Sequence, residues 1–114
     1  MIESEEVRMP YSEELDSKIA RILSRGAVRK KMFGGTCYTL RGNMVCGVYK
    51  DFLILRLGEQ QAAEALKQPE VSLLNITGKP MKGWVMIAEA SLTDEATARW
   101  IAKARAFAKS LPAK

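Results

Sequence analysis

The chain contains no histidine. That absence removes the commonest general base, the Ser-His and Cys-His nucleophile pairs, and the commonest metal ligand. Cysteine is scarce as well, with only Cys37 and Cys46. Two thiolates without an imidazole cannot complete a four-ligand structural zinc site in one chain unless carboxylates join them. A chain of 114 residues supports its own core and needs no disulfide framework. Long apolar runs are also missing. The longest, Phe52-Leu53-Ile54-Leu55, is interrupted by Arg56, whereas a membrane span needs ~18 residues. The opening Met1-Ile2-Glu3-Ser4-Glu5-Glu6 is acidic, whereas a secretory signal starts basic and turns apolar. These features predict a cytoplasmic protein with reduced thiols. The carboxylates are scattered and show no paired spacing suited to acid/base catalysis. The expectation is therefore a non-enzymatic protein without catalytic residues, metal or cofactor.

What is present describes an ordinary globular domain. Hydrophobic residues make up 47% and charged residues 27%, enough apolar content to argue against disorder. The net charge of +5 admits nucleic acid or an acidic protein as partner. The excess is modest, and a surface with surplus lysine accounts for it equally well.

The order of elements follows from periodicity and punctuation. Residues 1–11 are polar and mixed, and read as a flexible arm. Ser12 reads as an N-cap, with Glu13 and Glu14 at the positive end of a helix dipole. Leu15, Ile19, Ile22 and Leu23 then recur at helical spacing, and Gly26 is a natural stop. This predicts a helix from Ser12 to Arg25. From Ala27 to Leu57 the period shortens to that of strands. Gly34-Gly35 breaks a first run, Arg41-Gly42-Asn43 marks a turn, and Lys50-Asp51 marks another. The run Phe52 to Leu57 suits a strand buried on both faces. Gly58 opens a second helix with Ala62, Ala63 and Leu66 as its apolar stripe, and Pro69 ends it. Val71 to Thr77 and Trp84 to Ala90 predict two more strands, joined by a loop Gly78–Gly83. Thr93 caps the last helix, on which Ala96, Trp100, Ile101, Ala104, Phe107, Ala108 and Leu111 form a wide apolar face. Leu15, Ile19, Ile22, Leu23, Ile54, Leu66, Trp100, Ile101 and Phe107 are the predicted core. No strand-helix alternation supports a parallel sheet, so the class is α+β with an antiparallel meander.

Four groups of residues merit a functional reading. Phe33-Gly34-Gly35-Thr36 lacks the Lys-Ser/Thr ending of a P-loop and the three glycines of a dinucleotide site, which leaves a tight turn or bulge. Cys37 and Cys46 flank the hairpin turn. If two residues form its loop, alternation puts both thiols on one sheet face. They are direct neighbours with Arg41-Gly42 as the loop and diagonal ones with Gly42-Asn43. A cross-strand redox pair is thus conceivable beside the simpler account of two small buried hydrophobes. Gly78-Lys79-Pro80-Met81-Lys82-Gly83-Trp84 combines a stiff backbone with lysines and an aromatic ring. It suits a phosphate, nucleic acid or an acidic protein segment, while Met81 and Trp84 could equally cover the core edge. Arg99, Lys103, Arg105 and Lys109 are basic positions on the last helix, and Arg29, Lys30 and Lys31 add charge on the first strand. Such a set can track a phosphate backbone or simply be solvated. Lys79, Met81, Lys82, Trp84, Arg99, Lys103 and Lys109 are the candidate binding surface. Apolar residues on both faces of several strands add a further expectation. Three helices do not cover both sides of a five- or six-stranded sheet, and a twofold homodimer is the commonest cover for such a face.

These motifs together resemble a known family. Lys30-Lys31-Met32-Phe33-Gly34-Gly35, Gly42-Asn43-Met44-Val45-Cys46-Gly47-Val48, Leu55-Arg56-Leu57-Gly58 and Gly78-Lys79-Pro80-Met81-Lys82-Gly83-Trp84-Val85 resemble the TfoX N-terminal-domain family. The closing Phe107-Ala108-Lys109-Ser110-Leu111-Pro112 fits it too. The resemblance runs from about Tyr11 to the end. It implies an α-β(3)-α-β(2)-α fold of the secretion-chaperone-like kind, and a single domain from residue 12 to 114. The best-known members, the competence regulators TfoX and Sxy, carry a second helical domain and promote expression of DNA-uptake genes with the cyclic-AMP receptor protein. The family implies no catalytic residues. The resemblance therefore points to a stand-alone interaction module acting through protein contacts. Direct nucleic-acid binding and thiol redox chemistry at Cys37 and Cys46 are the alternatives.

Overall fold

The computed structural model describes residues 12–113 apart from 33–34, 76–77 and 79. The predicted arm at residues 1–11 and the predicted glycine turn at Phe33-Gly34 lie outside the described residues, as does Lys79. The elements run α1 (Glu13–Ile22), β1 (Ala27–Met32), β2 (Gly35–Leu40), β3 (Asn43–Tyr49), β4 (Phe52–Arg56), α2 (Glu59–Ala65), β5 (Val71–Leu74), β6 (Met81–Ala88) and α3 (Asp94–Lys109). Among the described residues, three helices and a six-stranded antiparallel sheet make this an α+β fold. Four strands precede α2, one more than the β(3) that the family resemblance implies, because the Lys-rich segment Ala27–Met32 pairs along β2 as an edge strand.

The sheet order is β1-β2-β3-β4-β6-β5. The first four strands form the predicted meander. α2 then carries the chain past one position, and β6 returns between β4 and β5, antiparallel to both. Arg41 and Gly42, both at positive φ (53° and 87°), form the two-residue loop between β2 and β3. Two successive positive φ values define the turn whose twist matches antiparallel strands.

Caps fix two helix starts where the sequence placed them. Ser12 Oγ accepts from Leu15 N at 3.1 Å, and Thr93 Oγ1 accepts from Ala96 N at 3.0 Å. α1 is shorter than expected. Leu23 leaves helical geometry (φ −101°, ψ 42°) while its N–H still reaches Ile19 O at 2.8 Å. In α2 the inward residues are Ala62 and Ala65, and Ala63 is exposed. β6 begins at Met81 rather than Trp84, so half of the predicted loop is strand. Its kink falls at Gly83 (φ 85°), whose carbonyl accepts from Leu57 N at 2.9 Å and Gly58 N at 3.1 Å. β6 ends at Ala88, and a 3-10 turn occupies Glu89–Ser91.

One hydrophobic core lies between the helices and one side of the sheet. Leu15, Ile19 and Leu23 meet Trp100, Ile101, Ala104 and Ala108 over Cys46, Val48, Leu53, Leu55, Val85 and Ile87. Of the predicted core, Ile22, Leu66 and Phe107 are only half-buried. Ile54 is buried at 4% exposure but stands outside this cluster.

The end of α3 is tied to the β2–β3 turn. Arg41 Nη2 donates to Lys109 O at 2.9 Å, and Asn43 Nδ2 donates to Pro112 O at 2.9 Å. These side chains satisfy carbonyls that the helix and the chain beyond it leave without partners. At the other end Lys18 and Asp94 pair at 2.8 Å, an exposed contact worth little by itself. Burial of α3 should therefore dominate stability. Ile101, fully buried, should cost about 2–5 kcal/mol when truncated to alanine, measured by denaturant unfolding. A loss below about 0.5 kcal/mol would show that the helix is not packed as described.

Candidate interaction surface

Strand alternation gives the sheet two unlike sides. Leu53 and Leu55 pair with Ile87 and Val85 and point into the core. Their neighbours Phe52, Ile54 and Arg56 pair with Ala88, Met86 and Trp84 and so occupy the opposite side. Across β3 this side continues through Tyr49 and Gly47, the partners of Phe52 and Ile54. Gly47 in turn opposes Cys37, which opposes Lys30. All three helices pack on the core side, and among the described residues none covers the other. Ile54 and Cys37 on that side are buried. Tyr49, Phe52, Trp84 and Met86 around them are half-buried, and Val28 is 54% exposed.

Arg56 ends this surface at the margin of the sheet. Its guanidinium carbon lies 5.6 Å from the Trp84 ring centre and 5.7 Å from that of Phe107, on the last turns of α3. Cations over aromatic faces at such distances are attracted by the ring quadrupole. Gly58 makes the approach of Phe107 feasible. It sits at φ 85°, and a Cβ there would come within 2.6 Å of Phe107 Cε1.

The predicted surface residues divide between the two sides. Met81 (40% exposed) and Lys82 are exposed at the start of β6, and Trp84 stacks with Arg56 on the uncovered side. Arg99, Lys103 and Lys109 are exposed on α3, across the sheet from Trp84. Lys103 borders a groove of about 320 Å³ that it shares with Leu57, Gln61 and Trp100. Along α3 the basic residues do not form one stripe, because positions two apart, such as Lys103 and Arg105, point about 200° apart. Arg56 and Phe107 were not among the predicted site residues. The one signal for Arg56 was its position as a charge ending an apolar run.

The cysteines do not pair. The loop is Arg41-Gly42, the option that would have made them direct neighbours, but a bulge intervenes. Thr39 opposes Met44 while Tyr38 opposes Cys46, so Val45 is an extra residue in β3. Cys46 therefore shares the core side with Tyr38, and Cys37 opposes Gly47 on the other side. Both thiols are free and buried. Burial pushes both thiols up from their ordinary range, the reverse of an activated thiolate.

A polar cluster holds α1 against the sheet. Asp16, 6% exposed, accepts from Tyr38 Oη at 2.5 Å, Thr36 Oγ1 at 3.2 Å, and Arg29 Nε at 3.1 Å and Nη2 at 2.5 Å. Burial alone would raise its pKa. The hydrogen bonds from Arg29, Tyr38 and Thr36 and the Arg29 charge outweigh that effect and hold it below the usual carboxylate range. Among the described residues no three His, Cys, Asp or Glu side chains group as a metal site.

The family model described as TfoX N-terminal domain matches residues 23–108. The chain belongs to the TfoX N-terminal domain family. No curated protein and no solved structure matches it. Asp16 and the rest of α1 precede the matched part of this TfoX N-terminal domain, whereas Arg29, Thr36 and Tyr38 fall inside it. No helix among the described residues is long and apolar enough to cross a membrane.

Two outcomes follow from the two buried groups of this TfoX N-terminal domain. Asp16→Ala should destabilise by about 2–3 kcal/mol, as expected when hydrogen bonds to a charged group are removed. The sign of the pH effect follows from the lowered pKa. Asp16 stabilises the fold above the ordinary carboxylate pKa, and that contribution is lost as pH falls through and below it. Stability-against-pH curves should therefore converge for wild type and Asp16→Ala at acid pH. Curves that stay parallel would remove the cluster from this role. Thiol titration should find Cys37 and Cys46 unreactive in the native state and reactive on unfolding. Formation of a Cys37–Cys46 disulfide in the folded protein would contradict the register.

Proposed function

We propose that this TfoX N-terminal domain is a non-enzymatic interaction module of the regulatory type, and that it docks protein partners on the uncovered side of its sheet. One observation carries the reading. The side centred on Cys37, Gly47 and Ile54, and ringed by Tyr49, Phe52, Trp84 and Met86, has no helix over it among the described residues. Aromatic residues and methionine on a contiguous, half-buried surface are the composition of protein interfaces. The absence of histidine and the raised thiol pKa values favour contact over chemistry. The relation to TfoX and Sxy suggests transcription or competence as the setting, and the cytoplasm as the compartment.

Direct nucleic-acid binding is the weaker reading. The basic residues of α3 wind around the helix, and Trp84 lies across the sheet from them, which speaks against a single phosphate-tracking patch among the described residues. Met86→Glu, on the uncovered side, should abolish partner capture while leaving the thermal midpoint nearly unchanged. A Met86→Glu variant that folds normally and captures every partner of the wild type would end the docking proposal. Sedimentation at micromolar concentration separates a second copy from a different protein as the occupant. Titration with duplex DNA should give weak binding without the slope of roughly −0.9 per phosphate that backbone contacts produce. A steep slope would promote the nucleic-acid reading instead.

A further inference from the structure

Arg56 is half-buried, yet its guanidinium makes no hydrogen bond and no ion pair with any described residue. The ion pairs of the described residues engage Lys18, Arg29 and Lys67, and the contacts of Arg56 are the rings of Trp84 and Phe107. Its nearest carboxylate in sequence, Glu59, is exposed and not paired with it. The Trp84 indole N–H also finds no acceptor among the described residues. This contrasts with Arg29, whose fork is closed on Asp16. Arg56 thus lies near aromatic rings from two separate elements, 5.6 Å from Trp84 of β6 and 5.7 Å from Phe107 of α3, while its donors make no hydrogen bond among the described residues. A guanidinium placed in this way gives up less conformational freedom when it binds.

We propose that Arg56 is an oxyanion receptor and that its ligand is an aspartate or glutamate carboxylate of the protein docked on the uncovered side. The inference rests on the docking proposal for its partner, and adds the chemistry by which that partner is recognised. Three features select a carboxylate. A single guanidinium meets a planar, singly charged group as a two-pronged match. The groups recorded in contact with it among the described residues are aromatic, not cationic, whereas a doubly charged phosphate favours several cations. An arginine beside aromatic residues is the composition found at interface hot spots. The chain's own charge of +5 makes an acidic partner a better match than a second copy.

The test titrates ¹⁵N-labelled protein with N-acetylglutamate N-methylamide, following the Arg56 Nε–H and Trp84 Nε1–H signals by NMR. The glutamine analogue, sodium chloride and inorganic phosphate serve as separate arms. Saturable shifts at both signals with the glutamate compound, and none with the glutamine compound or chloride, are expected. Arg56→Lys keeps the cation and loses the fork, and should weaken binding about tenfold, the equivalent of one charge-assisted bond. No saturable shift in the wild type, or an equal response to chloride, would overturn the receptor. Tighter binding of phosphate would overturn the carboxylate assignment. The titration needs no partner protein, so its failure is distinct from that of the docking proposal. Met86→Glu can abolish capture with Arg56 inert, and Arg56 can bind the probe with capture unaffected.

Discussion

The contact between α3 and the central strands β3 and β4 sets the conditions for the rest of the molecule. Ile101 and Ala104, both fully buried, bring the helix down on the middle of the sheet. α1 then packs beside it on β3, and α2 covers β6 from the same side. Once the three described helices lie on one side, the strands must satisfy two environments. Leu53, Leu55, Val85 and Ile87 meet a dry core. Phe52, Ile54, Trp84 and Met86 alternate with them and meet whatever approaches from outside. An antiparallel sheet tolerates a wet face, but this one is more apolar than such a face requires.

Asp16 and the bulge at Val45 serve the same packing by different means. Asp16 brings charge into the seam between α1 and the sheet, and the donors from β1 and β2 make that charge tolerable. Removing one partner of such a set is costly because the others stay behind. The bulge puts Val45 and Cys46 both in the core, each fully buried, and so fills the space beneath the helices. It also separates the thiols, giving each a different side of the sheet.

Much of the fold was legible in the sequence because local signals agreed with tertiary ones. The caps Ser12 and Thr93, the turn at Arg41-Gly42 and the stripe of α3 each act within a few residues. What was not legible depended on long-range pairing. The bulge adds one residue to a run of β-formers that reads as continuous, so alternation placed Cys37 and Cys46 on one side. Met81 and Lys82 read as loop because glycine and proline surround them, yet β6 begins there. Ala63 looked as apolar as Ala65, and only the seating of α2 on β6 decides between them. For the candidate surface, Trp84 was legible as an aromatic among glycines. Its companions Arg56 and Phe107 are distant in sequence and meet only through the Gly58 turn. Asn43, read as a turn residue, anchors the chain beyond α3 through Pro112.

The order of elements along the chain has a consequence for how the protein is made. α3 follows all six strands, and its final turn is fastened to a hairpin formed by residues 41–43. During synthesis the meander β1–β4 is therefore complete while Val48, Leu53 and Leu55 still lack their cover. β6, which pairs with β4, arrives after α2 and β5. Such late, non-local closure slows folding and leaves apolar strands open to neighbouring chains. A nascent chain stalled before residue 94 would hold a sheet whose core side lacks α3 and has only α1 and α2 to cover it. Lys30 and Lys31 on the edge strand β1 are exposed, and lysine at a sheet edge discourages pairing with a second chain. The lysines that border the finished domain thus also guard it during the interval before α3 closes the core.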